Sequence, residues 1–191
     1  MRKRKRCLLL AAVCLLCIGG CAGKDVQEPE GEFIIGVVTK SRNSEYWMSV
    51  NAGMEKAAKE MNVKTVVLSP DTETDKKIQK KMIRDLLKMK VDALAVSPID
   101  SNDNQDYYLQ AQELEIPVYS YDTPIADVEV PYIGIDNEKV GYELAKVLAE
   151  EMGHKGNIAI IAGSREQTSH EKRIAGFEKY MEQEPDIHIA V

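Results

Sequence analysis

The sequence predicts an α/β fold in which helices cover parallel sheets, and three observations carry that reading. Short β-rich runs begin roughly 25–30 residues apart over 33–121. Between them the apolar residues recur at helical spacing. The runs themselves are almost continuously apolar, as expected of strands buried on both faces of a parallel sheet.

The first run is 33–38 (FIIGVV). A helix follows, with Trp47, Val50, Met54, Ala57, Ala58 and Met61 on one face, and Ser44 stands at its N-cap. The second run, 63–68 (VKTVVL), leads to a helix whose inward face is Ile78, Met82, Ile83, Leu86 and Leu87, with Thr72 at the cap position. Strands at 93–96 (ALAV) and 117–121 (PVYSY) bracket a helix capped at Asp103. Such β-helix-β spacing gives right-handed crossovers. A fifth run, 132–135, opens a helix with Val140, Leu144, Val147 and Leu148 inward. A strand at 157–162 (NIAIIA), a helix carrying Ile174, Phe177 and Met181, and a last strand at 187–191 complete the pattern. Residues 137–191 contain two strands and two helices, little material for a core. This part reads as a truncated domain.

The N-terminus has a different character. Arg2 to Arg6 form a basic run, and residues 7–18 are an unbroken apolar stretch of 12. A membrane span needs about 20 residues at about 1.5 Å each, so the stretch has the length of a signal-peptide core instead. It ends in Ile18-Gly19-Gly20-Cys21, which resembles a bacterial lipobox, and that resemblance implies lipidation at Cys21 after removal of residues 1–20. All four cysteines lie at or before Cys21, so the exported part has neither disulfide nor thiolate metal site. Residues 21–32, polar and interrupted by Pro29 and Gly31, read as a tether. The expected division is a signal peptide (1–20), a lipid-anchored linker (21–32), a first lobe (33–136) and the start of a second (137–191).

The composition narrows the function classes. The 191 residues carry 25 basic and 31 acidic groups, a net charge of −6. Without the five basic residues of the signal the balance is 20 against 31, or −11. Nucleic acid is therefore not the expected partner, because phosphate contacts require clustered cations. His154, His170 and His188 have no metal-ligand spacing, and Ser169 beside His170 does not align a nucleophile with a base. Asp71, Asp75, Asp100 and Asp103 stand where carboxylates cap helices. The sequence lacks G-x-G-x-x-G, G-x-S-x-G and P-loop motifs. A non-enzymatic chain without cofactor or metal is expected.

Several ordered motifs resemble the type I periplasmic binding proteins, in particular their ribose-binding branch. Asn43-Ser44-Glu45-Tyr46-Trp47 before Gly53-Met54-Glu55-Lys56-Ala57-Ala58 is similar to that family's asparagine, aromatic pair and following helix. Ile116-Pro117-Val118, ending in Asp122, resembles its Ile-Pro-Val strand. Gly134-Ile135-Asp136-Asn137 with Gly141 resembles its crossing between lobes, and Arg173-Ile174-Ala175-Gly176-Phe177 its Arg-x-x-Gly-Phe helix. The resemblance implies a periplasmic-binding-protein-like type I fold: two Rossmann-like lobes closing over a small sugar.

It also implies roles. Tyr46 and Trp47 would cover the apolar face of a sugar, although Trp47 equally suits a core position. Asp122 would accept two ligand hydroxyls. Thr123 stands where the ribose receptor has arginine and offers a hydroxyl instead. Arg173 would take a pair of sugar oxygens. Ser44 either binds ligand or only caps its helix, and Asn137 binds ligand, caps its helix or pins the hinge. The implied partners are a sugar-like small molecule, the membrane through the lipid anchor, and either an ABC-importer permease or a sensor histidine kinase. The implied location is the extracytoplasmic face of the cell membrane.

Overall fold

The computed structural model describes residues 32–190. The signal segment, Cys21 and nearly all of the tether lie outside them. Five parallel strands form the first sheet: β1 (Ile34–Val38), β2 (Lys64–Leu68), β3 (Ala93–Val96), β4 (Val118–Tyr121) and β5 (Tyr132–Ile133). Their spatial order is β2-β1-β3-β4-β5, with Val37 of β1 opposite Val67 on one side and Ala95 on the other. The order reverses between β1 and β3, so loops leaving these strands at their carboxyl ends diverge and open a crevice.

Three helices cover this sheet: α1 (Glu45–Met61), α2 (Lys76–Lys88) and α3 (Gln105–Glu113). On one face Leu86 and Leu87 of α2 and Tyr107 and Ala111 of α3 pack against Val38, Leu94, Val96 and Val118. Burying each leucine side chain contributes about 1.5–3 kcal/mol. The opposite face holds Val37, Trp47 and Tyr121, with Val50 and Met54 of α1 against them.

After β5 the chain enters α4 (Asn137–Glu151), β6 (Gly156–Ala159), α5 (Thr168–Met181) and β7 (Ile187–Ala190). β6 and β7 pair in parallel as a second, two-stranded sheet. Ala145, Ala149, Phe177, Met181 and Ile187 form its small core.

Two helix starts differ from expectation. The N-cap of α2 is Asp75, not Thr72, and that of α3 is Asn104, not Asp103. At α3 the cap is long-range: Asp127 accepts from the backbone N–H of Asn104 at 2.7 Å and of Gln105 at 3.0 Å. A carboxylate from a distant loop satisfies these orphan donors, so local spacing cannot reveal it.

The inward face of α4 also differs. Val140, Leu144 and Val147 are exposed, while Gly141, Ala145 and Ala149 are buried. A Cβ on Gly141 would meet the Arg173 carbonyl oxygen at 1.9 Å, and one on Gly176 the Glu138 carbonyl oxygen at 1.9 Å. The backbones of α4 and α5 therefore touch through small residues, and the bulkier apolar face turns away. Val140 and Leu144 instead border an open 260 Å³ cavity with Ile160, Ile161 and Phe177.

Candidate ligand-binding site

A cavity of about 810 Å³ opens where the loops after β1, β2 and β4 meet the start of α5. Its walls come from both sheets' surroundings: Ser44, Tyr46, Trp47, Glu73 and Asp122 from the first, His170 and Arg173 from the second. Gln79 fixes the strand ends beneath it. Its amide donates to the carbonyls of Thr39 at 3.0 Å and Ser97 at 2.8 Å and accepts from the Ile99 N–H at 2.9 Å. All its polar atoms are thus partnered in a dry setting, where a gap would cost about 1–3 kcal/mol.

Asp122 is the hub. It follows β4 with a left-handed φ of 61°, and the Thr123 N–H closes a three-residue turn onto the Tyr121 carbonyl at 2.6 Å. Aspartate is among the few residues that tolerate this region. The turn aims the carboxylate at β1 and α1. Oδ2 receives the ammonium of Lys40 at 2.8 Å and the hydroxyls of Ser97 at 3.1 Å and Thr123 at 3.2 Å. Oδ1 accepts from the Tyr46 hydroxyl at 2.9 Å. Burial alone would raise this carboxyl's pKa. The Lys40 charge and the bonds from Lys40, Tyr46 and Ser97 outweigh it and hold the carboxyl below the usual carboxylate range.

Lys40 was not singled out by the sequence. It is 3% exposed, and besides Asp122 its ammonium donates to the Thr123 hydroxyl at 2.5 Å and the Gln167 side-chain oxygen at 2.7 Å. Three donors meet three oxygens, one of them from the segment entering α5. The same seam pairs the hydroxyls of Thr123 and Ser169 at 3.0 Å and passes the Thr168 N–H to the Ser101 hydroxyl at 3.1 Å. The only cue in the sequence is position: Lys40 lies just past the carboxyl end of a strand, where open α/β sheets bind ligands.

The aromatic pair divides. Tyr46 is 54% exposed and faces the cavity, and its pKa is pushed up to about 12 by partial burial and the Asp122 bond. Trp47 is 1% exposed and sits edge-on behind Tyr46, ring centroids 5.0 Å apart. Its indole N–H donates to Oε1 of Glu73 at 2.9 Å, and the Lys40 ammonium lies 5.8 Å from its ring. It is a core residue that also closes the cavity floor.

Ser44 is the positional N-cap of α1 but makes no side-chain cap bond, and it borders the cavity. Thr123 is fully buried, its hydroxyl engaged by Lys40, Asp122 and Ser169, and it is not part of the cavity wall. Asn137 is likewise buried; Asp136 caps α4, accepting from the Lys139 N–H. Asn137 accepts from Nε of Arg173 at 2.8 Å and donates to the Ile135 carbonyl at 3.3 Å, which pins the crossing and orients the guanidinium. No described protein group accepts from the outer nitrogens of Arg173, which lines the cavity. Among the described residues no cluster of His, Cys, Asp or Glu is arranged to hold a metal ion, and no helix is long and apolar enough to cross a membrane.

Comparison with known proteins agrees with this geometry. Residues 35–190 match the periplasmic binding protein domain. The ribose import binding protein of Bacillus subtilis is 27% identical over 157 residues, 82% of this chain and 51% of its own. An ABC transporter periplasmic solute binding protein from Actinobacillus succinogenes, solved with bound D-allose, superposes with a TM-score of 0.77 at 30% identity over 82% of this chain and 57% of its own. The fructose-binding periplasmic domain of a hybrid two-component system gives a TM-score of 0.78 at 25% identity, covering 83% and 53%. This chain spans about half the length of the curated relatives it matches. With a type I α/β architecture, a cavity at the topological switch point and a match over nearly all described residues, the chain belongs to the periplasmic binding protein family.

Proposed function

We propose that this protein is a lipid-anchored, extracytoplasmic solute-binding protein that captures a sugar or similar small polar ligand and delivers it to an ABC importer. The observation that carries the reading is the joint presentation, in one cavity, of the exposed Tyr46 ring, the Asp122 carboxylate and the outwardly unpartnered Arg173 guanidinium. A sugar offers an apolar C–H face to an aromatic ring and hydroxyls that both donate and accept. In this reading Tyr46, Ser44, Asp122 and Arg173 touch the ligand. Trp47 stiffens Tyr46 from behind, while Thr123 and Asn137 hold Asp122, Lys40 and Arg173 in place. These are binding roles; the arrangement holds and releases a solute without bond chemistry.

A second reading rests on the similarity to the fructose-binding domain of a two-component system: the same fold reporting ligand state to a membrane histidine kinase. Genes encoding a permease and ATPase beside this one would support delivery, and a kinase gene in their place would support signalling.

Ligand binding is tested by thermal shift against pentoses, hexoses, inositols and nucleosides. A ligand that binds only the native state raises stability by RT ln(1 + [L]/Kd). A melting-temperature rise confined to one or a few sugars is expected. A cooperative melt unmoved by every sugar would overturn the sugar assignment.

A further inference from the structure

The Asp122 carboxylate has little room for the two ligand hydroxyls expected of it. An ionised carboxylate has about four acceptor sites, and Lys40, Ser97, Thr123 and Tyr46 each direct a donor at it. Three of these converge on Oδ2, so only Oδ1, with the Tyr46 hydroxyl as its one donor, keeps a place for a ligand hydroxyl.

Glu73 is in the opposite condition. It lies in the loop between β2 and α2 and borders the same cavity. One oxygen is fixed by the Trp47 indole N–H at 2.9 Å. No described donor reaches the other oxygen, and no described lysine, arginine or histidine pairs with the carboxylate. The indole thus orients an exposed carboxylate at the cavity wall, with its second oxygen facing no described protein donor. Arg173 supplies the reciprocal group, a cation whose outer nitrogens have no described protein acceptor. The cavity therefore offers one unpaired charge of each sign, which matches a neutral polyhydroxylated ligand.

We propose that Glu73 is the second ligand-binding carboxylate of this site and accepts a hydrogen bond from a sugar hydroxyl through its free oxygen. The proposal rests on the sugar-binding reading above. The competing role is purely structural, an acceptor for the buried Trp47 N–H.

Calorimetric titration of the full chain with the sugar that most raises its melting temperature separates the two, using wild type, Glu73→Gln and Glu73→Ala. Glutamine preserves a neutral acceptor for Trp47 and removes the charge. A charge-assisted hydrogen bond gives a loss of about tenfold or more in Kd for Glu73→Gln. The ligand-free melting temperature of that variant should remain near wild type. Monodeoxy analogues extend the test: one of them should bind wild type about as weakly as Glu73→Gln binds the parent sugar, and the two losses should not add. Affinity of Glu73→Gln within twofold of wild type would overturn the role of Glu73 while leaving sugar binding intact. Absence of binding by the wild-type chain to any sugar would overturn both.

Discussion

The Lys40 ammonium lies 2.8 Å from Oδ2 of Asp122, and the lysine is almost closed to solvent. A buried charge without its partner is far more costly than the pair is stabilising. Either Lys40→Met or Asp122→Asn alone should destabilise the chain by about 3–5 kcal/mol. The double variant should be less destabilised than the sum of the two, because it leaves no isolated charge. Urea denaturation of the four proteins checks this, and additive losses would show that the pair is not coupled.

Acid sensitivity follows from the same pair. The folded-state pKa of Asp122 is depressed, so its contribution to stability is present above the unfolded carboxyl value, about 3.9, and disappears as pH falls through the folded value. The stability gap between wild type and Asp122→Asn should be constant near neutrality and narrow below about pH 4. Urea midpoints across pH 2–7 measure it. A gap that widens on acidification would contradict the depressed pKa.

Tyr46 has two functions that substitution can separate. Its hydroxyl serves Asp122, and its ring faces the cavity. Tyr46→Phe should cost about 1 kcal/mol of stability and leave sugar affinity within a few-fold. Tyr46→Ala also removes the stacking surface and should weaken binding by about tenfold or more. Equal affinities for the two variants, by titration, would deny the ring a role.

Gly176 and Gly141 hold α4 against α5 with no room for a methyl group. Alanine at either position should destabilise by about 1–3 kcal/mol through overpacking. It should also displace Arg173 from Asn137, so ligand affinity should fall with stability. An alanine variant with wild-type melting temperature and wild-type affinity would contradict the contact.

Much of this architecture was legible in the sequence because it is written in local periodicity. The buried strands show as apolar runs, and Ile83, Leu86 and Leu87 occupy the helix face their spacing predicts. Arg173, Asn137 and Gly176 were visible as motif positions, and the structure shows why the spacing matters: the glycine lets α5 approach α4 closely enough for Arg173 to reach Asn137. Three features were hidden because their causes are tertiary. Asp127 caps a helix 22 residues away in sequence. The apolar residues of α4 promised an inward face that the glycine contact turned outward. Lys40 resembles any lysine after a strand until folding brings Asp122 and Gln167 to it.

The lipid anchor is tested apart from the fold. In a bacterial host, wild-type protein should enter the detergent phase and incorporate labelled fatty acid, and Cys21→Ala should lose the label. Wild-type protein already in the aqueous phase would contradict lipidation at Cys21.

The most direct measurement is a crystal structure with the sugar that most raises the melting temperature. The sugar should lie in the 810 Å³ cavity, its ring against Tyr46 and its oxygens within hydrogen-bond distance of Arg173 and Glu73. A sugar bound elsewhere, with Tyr46 and Arg173 untouched, would contradict that placement.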